Sequence, residues 1–288
     1  MSIRVHIGGR VCRPEEAKVS IFDRGFLYGD SVYETIGTFE GRLFATDEHL
    51  TRLERSAARI GLRTPPRSEI ERAIAETVAA AGNEESRVRV MVTRGAGGKI
   101  DLDPATAGDP ELIVIVFPLG APTAEMYARG VSAAIVSVER NSPQAMDPAV
   151  KSGNYLNNVL ALGEARRRSG AYEAILCAAD GTIAEGASSN VFAVRAGVVR
   201  TPPLDVGILD GITRAKVLEL ARENRIPLEE ARISPDELRA ADEVFITSAT
   251  RAVLPVTRLD ERAVGDGTPG PVTRRLMELL AGLARRSR

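Results

Sequence analysis

At 288 residues, with 44% apolar and 27% charged side chains, the chain can bury a substantial core and reads as a globular protein of two domains. A net charge of −1 gives no electrostatic case for a nucleic acid or an anionic membrane surface, and no stretch is long and apolar enough to span a bilayer. Cys12 and Cys177 make no disulfide framework and the opening residues lack the apolar core of a signal peptide, so a cytoplasmic protein is expected.

Along the chain, "RVHIGGRVC" predicts a hairpin turning on two glycines, and "AKVSIF" a further strand. "DRGFLYGD" reads as a loop leading into the strand "SVYETIGTF". Thr46 or Asp47 is placed to cap a helix in which Leu50, Leu53, Ala57 and Ile60 recur at helical spacing. A second helix opens on the capping box Ser68-x-x-Glu71 and closes on Gly82. "RVRVMVT" and "ELIVIVF" follow as strands. Residues 118–130 are rich in Pro and Gly and poor in periodicity, which predicts a linker between domains 1–117 and 131–288. Beyond it come the strand "VSAAIVSV", a helix from about Tyr155 to Arg168, and a strand-and-turn stretch from "YEAILC" to "VVRT". "GITRAKVLELAREN" is a helix entered through glycine, and "SPDELRAA" carries a full helix-start signal. The strands "EVFITS" and "VLPVTRL" precede a closing helix from Pro271.

Absences narrow the chemistry. The two histidines, His6 and His49, sit in no metal-binding motif, and neither a P-loop nor a dinucleotide fingerprint is present. Lysine is scarce: four stand against 34 arginines, and one of them, Lys151, lies just ahead of a helix. A neutral amine is a nucleophile, whereas a guanidinium stays protonated in proteins, so Lys151 offers chemistry that arginine cannot. A lone lysine at a helix entrance is ordinarily only solvated, and the case rests on its companions. Glu185 interrupts an apolar strand and is followed by the small residues "GASS", including Ser188. Gly211 before a helix exposes the N–H groups of Ile212 and Thr213, a cradle suited to phosphate. Arg52 can grip an anion with a forked pair of hydrogen bonds. A lysine nucleophile, a carboxylate and a phosphate cradle are the parts that pyridoxal 5′-phosphate requires.

In "FDRGFLYGDSVYE", "EHLTRLERSA", "TRGAG", "KSGNYLNNVLA", "EGASSN", "GITR", "ADEVFITSAT" and "PGPVT", from about residue 3 to 280, the chain resembles the class IV (fold-type IV) pyridoxal-phosphate aminotransferases. The resemblance implies an α/β fold with a small N-terminal domain, a larger C-terminal pseudo-barrel domain and the cofactor between them, in a homodimer. It assigns Lys151 as the Schiff-base lysine and proton shuttle, Tyr155 to the cofactor's phenolic oxygen and Glu185 to its pyridine nitrogen. Arg52, Ile212 and Thr213 match phosphate binders, Leu209 a residue packed on the ring, and Tyr28 a loop tyrosine reaching the partner subunit's site. One departure touches the cofactor. Where the family often has a threonine on the phosphate, Ser248-Ala249-Thr250 has alanine at 249, which leaves the contact to Ser248 or Thr250, or to neither.

Within the family, "RVRVMVTRGAGGKIDLDP" keeps the Arg89 and "LDP" of the branched-chain aminotransferases but puts Arg87 where they often carry tyrosine. A cation there disfavours a purely aliphatic side chain unless it turns outward, and suits a substrate carboxylate. The D-amino acid aminotransferases resemble "YGDSVYE" and "EGASSN", but their Arg-x-His carboxylate trap falls near Lys99 with its histidine missing. The expected activity is transamination between an α-amino acid and a 2-oxo acid of the branched-chain type. The alternatives are a D-amino acid aminotransferase, an aminodeoxychorismate lyase using the same cofactor, and a cofactor-free binding protein on the same fold.

Overall fold

The computed structural model describes residues 2–286; residue 1 and residues 287–288, the outermost parts of the two expected domains, lie outside the described residues. By internal contacts the chain divides into two units, Met1–Gly120 with Val150–Asn154, and Ala121–Ala149 with Tyr155–Arg288. This division differs in kind from a single break at 118–130. Five residues beginning just before Lys151 belong with the N-terminal unit, and the expected linker contains a helix, α4 (Ala124–Arg129), capped by the Thr123 hydroxyl.

The first unit carries β1 (Arg4–Ile7), β2 (Arg10–Cys12), α1 (Arg24–Tyr28), β3 (Ser31–Phe39), β4 (Arg42–Leu43), α2 (Thr46–Arg59), α3 (Arg67–Ala81), β5 (Ser86–Thr93) and β6 (Glu111–Pro118). Its sheet runs β2-β1-β6-β5-β3-β4 and is antiparallel throughout. Alternation along β5 sorts its side chains between two faces. Val88, Val90 and Val92 are buried in a core with Leu50, Leu53 and Ala57 of α2 and Ile70, Ala73 and Ile74 of α3. Arg87, Arg89 and Met91 therefore face the other way, in register with Gly37, Thr35 and Tyr33 of β3.

The second unit continues with β7 (Val131–Ile135), α5 (Leu156–Ser169), β8 (Glu173–Cys177), β9 (Ile183–Gly186), β10 (Asn190–Arg195), β11 (Val198–Thr201), α6 (Ile212–Glu223), β12 (Leu228–Glu230), α7 (Pro235–Arg239), β13 (Glu243–Ser248), β14 (Ala252–Leu259), β15 (Arg262–Ala263) and α8 (Pro271–Arg286). The sheet order is β12-β11-β10-β13-β14-β7-β8-β9, with β15 beside β14. β13 is antiparallel to both neighbours, whereas β7 is parallel to both of its own. The α5 face bearing Ala161 and Ala165 packs against Ala134, Ala174 and Leu176, small residues that let helix and sheet approach closely.

Several local expectations are corrected. "AKVSIF" forms no strand: Val19, Ile21 and Phe22 stay exposed, so no buried face fixes an alternation there. The "DRGFLYGD" loop holds α1, capped by Asp23 and ended by Gly29 in the left-handed region. No side chain caps α2, which begins at Thr46 behind Ala45 at φ 56°. α3 starts at Arg67 after Pro66, so Ser68 lies inside the first turn and its capping box does not form. At α7 the Ser234–Glu237 box does form.

Candidate functional site

In the first unit, the site is built at the open edge of β3. Residues 151–153 lie antiparallel to the start of that strand: Tyr33 N–H donates to the Lys151 carbonyl at 3.0 Å and Gly153 N–H to the Ser31 carbonyl at 3.0 Å. Lys151 N–H donates to Ser56 Oγ of α2 at 3.2 Å, so the backbone of the lysine is held from both sides. Gly153 is required by this approach, because a Cβ there would run into Ser31 Oγ. The Lys151 side chain is half-buried, with Nζ 4.5 Å from the centroid of the Tyr33 ring. Arg89 Cζ lies 3.7 Å from the centroid of the same ring, and Arg87 Cζ lies 5.0 Å from that of Phe117. Ring quadrupoles hold these guanidinium groups in place without neutralising them. Each of the buried arginines Arg24, Arg52, Arg214 and Arg251 has a carboxylate partner, but neither Arg87 nor Arg89 has an ion pair among the described residues.

Behind this edge, Glu34 is fully buried on β3 and accepts from Arg52 Nε at 2.6 Å, Arg52 Nη2 at 2.8 Å and His49 Nδ1 at 2.7 Å. One edge of the Arg52 fork is thus committed to Glu34. Burial pushes the Glu34 carboxyl up, but the charge and hydrogen bonds of Arg52, with that of His49, outweigh it and hold it at about 2, from an ordinary 4.5. A lowered folded-state value stabilises the fold above pH 4.5 and loses that contribution as pH falls towards 2, at most about 3 kcal/mol. The unfolding free energy of the wild type, measured in urea, is therefore expected to exceed that of Glu34→Gln most above pH 4.5. The gap should narrow towards pH 2; a constant gap would remove the titrating carboxylate from the account.

The remaining candidates of this unit are peripheral to the Lys151 cluster in their contacts. Tyr28 ends α1 beneath the Arg24 guanidinium, 5.0 Å from its ring centroid. Lys99 is exposed and paired with Asp101 at 2.7 Å.

In the second unit, Glu185 on β9 is buried. Its Oε1 accepts from Arg140 Nε at 2.7 Å and its Oε2 from Leu209 N–H at 2.9 Å. A carboxylate oxygen has two lone pairs, so each oxygen keeps one acceptor site for a further N–H. Asn190 fixes the segment after Leu209 by donating from Nδ2 to the Leu209 carbonyl at 2.9 Å, and a Cβ on Gly211 would collide with Asn190 Oδ1. Gly211 is the N-cap of α6 and offers no side-chain cap, so the first-turn N–H groups of Ile212 and Thr213 keep their donor capacity for an anion. The carboxylate and the uncapped helix start fit a protonated ring nitrogen and a phosphate in chemistry. Tyr155 is the half-buried N-cap residue of α5. Ser248 ends β13, and Ala249 and Thr250 make the turn into β14.

Five residues that escape the sequence reading complete these networks: Glu34, His49, Arg140, Glu173 and Arg251. Glu173 is buried on β8 and receives Arg251 Nη1 at 2.7 Å. The available signal was a charged residue inside an otherwise apolar strand, as in "SVYETIGTF" and "YEAILC", where a buried carboxylate demands a cation.

The family model described as "Amino-transferase class IV" matches residues 31–259. The D-alanine aminotransferase of Bacillus licheniformis is 38% identical over 279 residues, 96% of this chain and 96% of its own. Among solved structures, the branched-chain amino acid aminotransferase of Escherichia coli superposes with a TM-score of 0.92 at 32% identity, covering 98% of this chain and 95% of that one. The branched-chain amino acid aminotransferase of the archaeon Thermoproteus uzoniensis, solved with norvaline, gives a TM-score of 0.88 at 35% identity over 99% of this chain and 94% of that one.

Proposed function

The chain belongs to the class IV aminotransferases, with their fold-type IV structure, and from this membership we propose a cytoplasmic, homodimeric enzyme that uses pyridoxal 5′-phosphate for its amino-group transfer, between a branched-chain-type α-amino acid and a 2-oxo acid. Members of the family are pyridoxal-phosphate enzymes. The observation that carries the reading is the Lys151 amine held against Tyr33 beside the unpaired cation of Arg89.

When bound, the cofactor supplies an aldehyde that condenses with amines and a protonated ring that draws electrons from the substrate's α-carbon. Lys151 Nζ would provide the covalent tether, and its amine would be the base able to take and return the proton of the substrate's α-carbon. Glu185 would hold the proton on the ring nitrogen through the lone pairs that Arg140 and Leu209 N–H leave unused. Leu209 would pack on the ring, and Tyr155 would donate to the phenolic oxygen. Ile212, Thr213 and Arg52 would hold the phosphate, with Ser188, Ser248 and Ala249 as further candidates to line it. Tyr28, Arg87, Arg89, Lys99 and Thr250 are assigned to substrate. The exposed apolar side chains of Ile21, Phe22, Phe26 and Leu102 in the first unit offer area to a second copy of the chain.

A half-reaction panel of L- and D-amino acids tests the substrate. Valine, leucine and glutamate in the L series are the expected donors. The Bacillus relative supports a second reading in which D-alanine is the donor, and a positive result confined to D-amino acids would replace the first. Release of pyruvate from aminodeoxychorismate without an amino acceptor would identify a lyase instead. Because Arg87 and Arg89 share one face of β5 and lack carboxylate partners, Arg87→Leu is expected to lower kcat/KM for glutamate relative to leucine on the order of tenfold. An unchanged ratio would place Arg87 outside the substrate pocket.

A further inference from the structure

The stretch from Leu209 to Arg214 joins the two ligand-facing features of the second unit, and one buried side chain from a neighbouring strand holds it between them. Leu209 N–H meets the Glu185 carboxylate at 2.9 Å, and α6 then begins with the N–H groups of Ile212 and Thr213 behind an N-cap that has no side chain. Asn190 on β10, only 5% exposed, reaches the middle of this stretch. Its Nδ2 donates to the Leu209 carbonyl at 2.9 Å, and its Oδ1 lies against Gly211. Arg214 secures the far end of the first turn, donating from Nη2 to the Pro202 carbonyl at 2.9 Å and to Glu230 Oε2 at 2.7 Å.

Gly211 has φ −75° and ψ 129°, an extended conformation open to any residue. Its backbone therefore does not call for glycine. What excludes a side chain is the approach of Asn190, because a Cβ at 211 would collide with Oδ1. The amide at 190 and the bare α-carbon at 211 act as one fitted pair. A Ser, Thr, Asp or Asn at the N-cap would ordinarily fix a helix start by accepting from the first-turn N–H groups. Such a cap would occupy the donors that an anion needs. Here the start of α6 is fixed from outside the helix, through the Leu209 carbonyl, and its first-turn donors stay available.

We propose that Asn190 is a positioning residue for the cofactor phosphate: it sets the start of α6 without occupying the N–H groups that bind the anion. This deepens the pyridoxal-phosphate reading above and rests on it. The readout is the preference of the full-length chain for pyridoxal 5′-phosphate over pyridoxal, which has no phosphate, taken as the ratio of their dissociation constants. Asn190→Ala is expected to lower that preference about tenfold. Pyridoxal binding itself should stay within about threefold of wild type, because Glu185 still holds Leu209 N–H. Gly211→Ala should lower the preference at least as far, since its Cβ pushes the turn away from the amide. In Asn190→Ala/Gly211→Ala the obstacle is gone, and the loss should be no deeper than that of Gly211→Ala alone.

If Asn190→Ala fails to fold, Asn190→Asp carries the test, because it keeps the shape of the side chain. Its carboxylate beside the α6 start should repel the phosphate and lower the preference at least as much as alanine does. A wild-type preference in a folded Asn190 variant overturns the proposal, even where Tm has fallen, since the amide then serves the fold alone. Single losses that multiply in the double variant overturn it too. A wild-type chain that binds both forms alike overturns this inference by itself, whereas one that binds neither would sink the pyridoxal-phosphate reading and this inference with it.

Discussion

Lys151→Ala is expected to slow amino-group transfer by at least about a thousandfold, and Lys151→Arg to do nearly the same. On the proposed role of Lys151, the first substitution deletes both the tether and the base. The second keeps the positive charge and the stem but supplies a guanidinium that neither condenses with an aldehyde nor accepts a proton near neutral pH. The surrounding structure should survive either change, because Lys151 is held through its backbone, by Ser56 Oγ and the Tyr33 N–H, and those contacts do not depend on the side chain. Single-turnover rates with L-valine and with L-glutamate, together with Tm, check this. Either variant retaining steady-state turnover within tenfold of wild type would move the chemistry to another residue.

Glu185→Gln should be the second most damaging single change, lowering kcat on the order of a hundredfold or more. A neutral amide cannot keep a proton on a ring nitrogen, and its NH2 group would face the Arg140 guanidinium. Stability should drop too, since the Arg140–Glu185 pair is largely buried and removing one partner strands the other charge, at a cost of about 3 kcal/mol. Arg140→Met tests the same pair from the other side. It should reproduce the stability loss with a smaller loss of rate, because Leu209 N–H still orients the carboxylate. If Glu185→Gln unfolds at the wild-type temperature and turns over at the wild-type rate, the carboxylate has no part in the reaction.

Local signals carried much of the fold. The α7 start was legible because its serine cap, proline and glutamate act within one turn, and β5 because its alternation is a property of the strand itself. The errors came where distant contacts decide. Ala45 adopts a left-handed conformation ahead of α2 and displaces the cap expected from Thr46 or Asp47, and the exposed run Val19–Phe22 reads as a strand only if a face is assumed to be buried. The return of residues 150–154 to the first unit was likewise invisible, since it depends on pairing with β3 more than a hundred residues earlier.

The site divides the same way. Lys151, Glu185 and the Gly211 helix entrance announce themselves by residue type and neighbours. Arg140 and Arg251 do not: their carboxylates lie 45 and 78 residues away, and an arginine at a turn has the same local appearance whether it is solvated or clamped. Arg52 was read as an anion grip from its place on a helix, whereas its pairing with Glu34 required the register of β3 against α2.

Borohydride reduction of the holoprotein, followed by peptide mapping in the mass spectrometer, reads the point of cofactor attachment itself. A phosphopyridoxyl adduct is expected on the peptide containing Lys151, with Lys18, Lys99 and Lys216 unmodified. An adduct at one of those lysines instead, or none at all after incubation with excess pyridoxal 5′-phosphate, would refute the assignment.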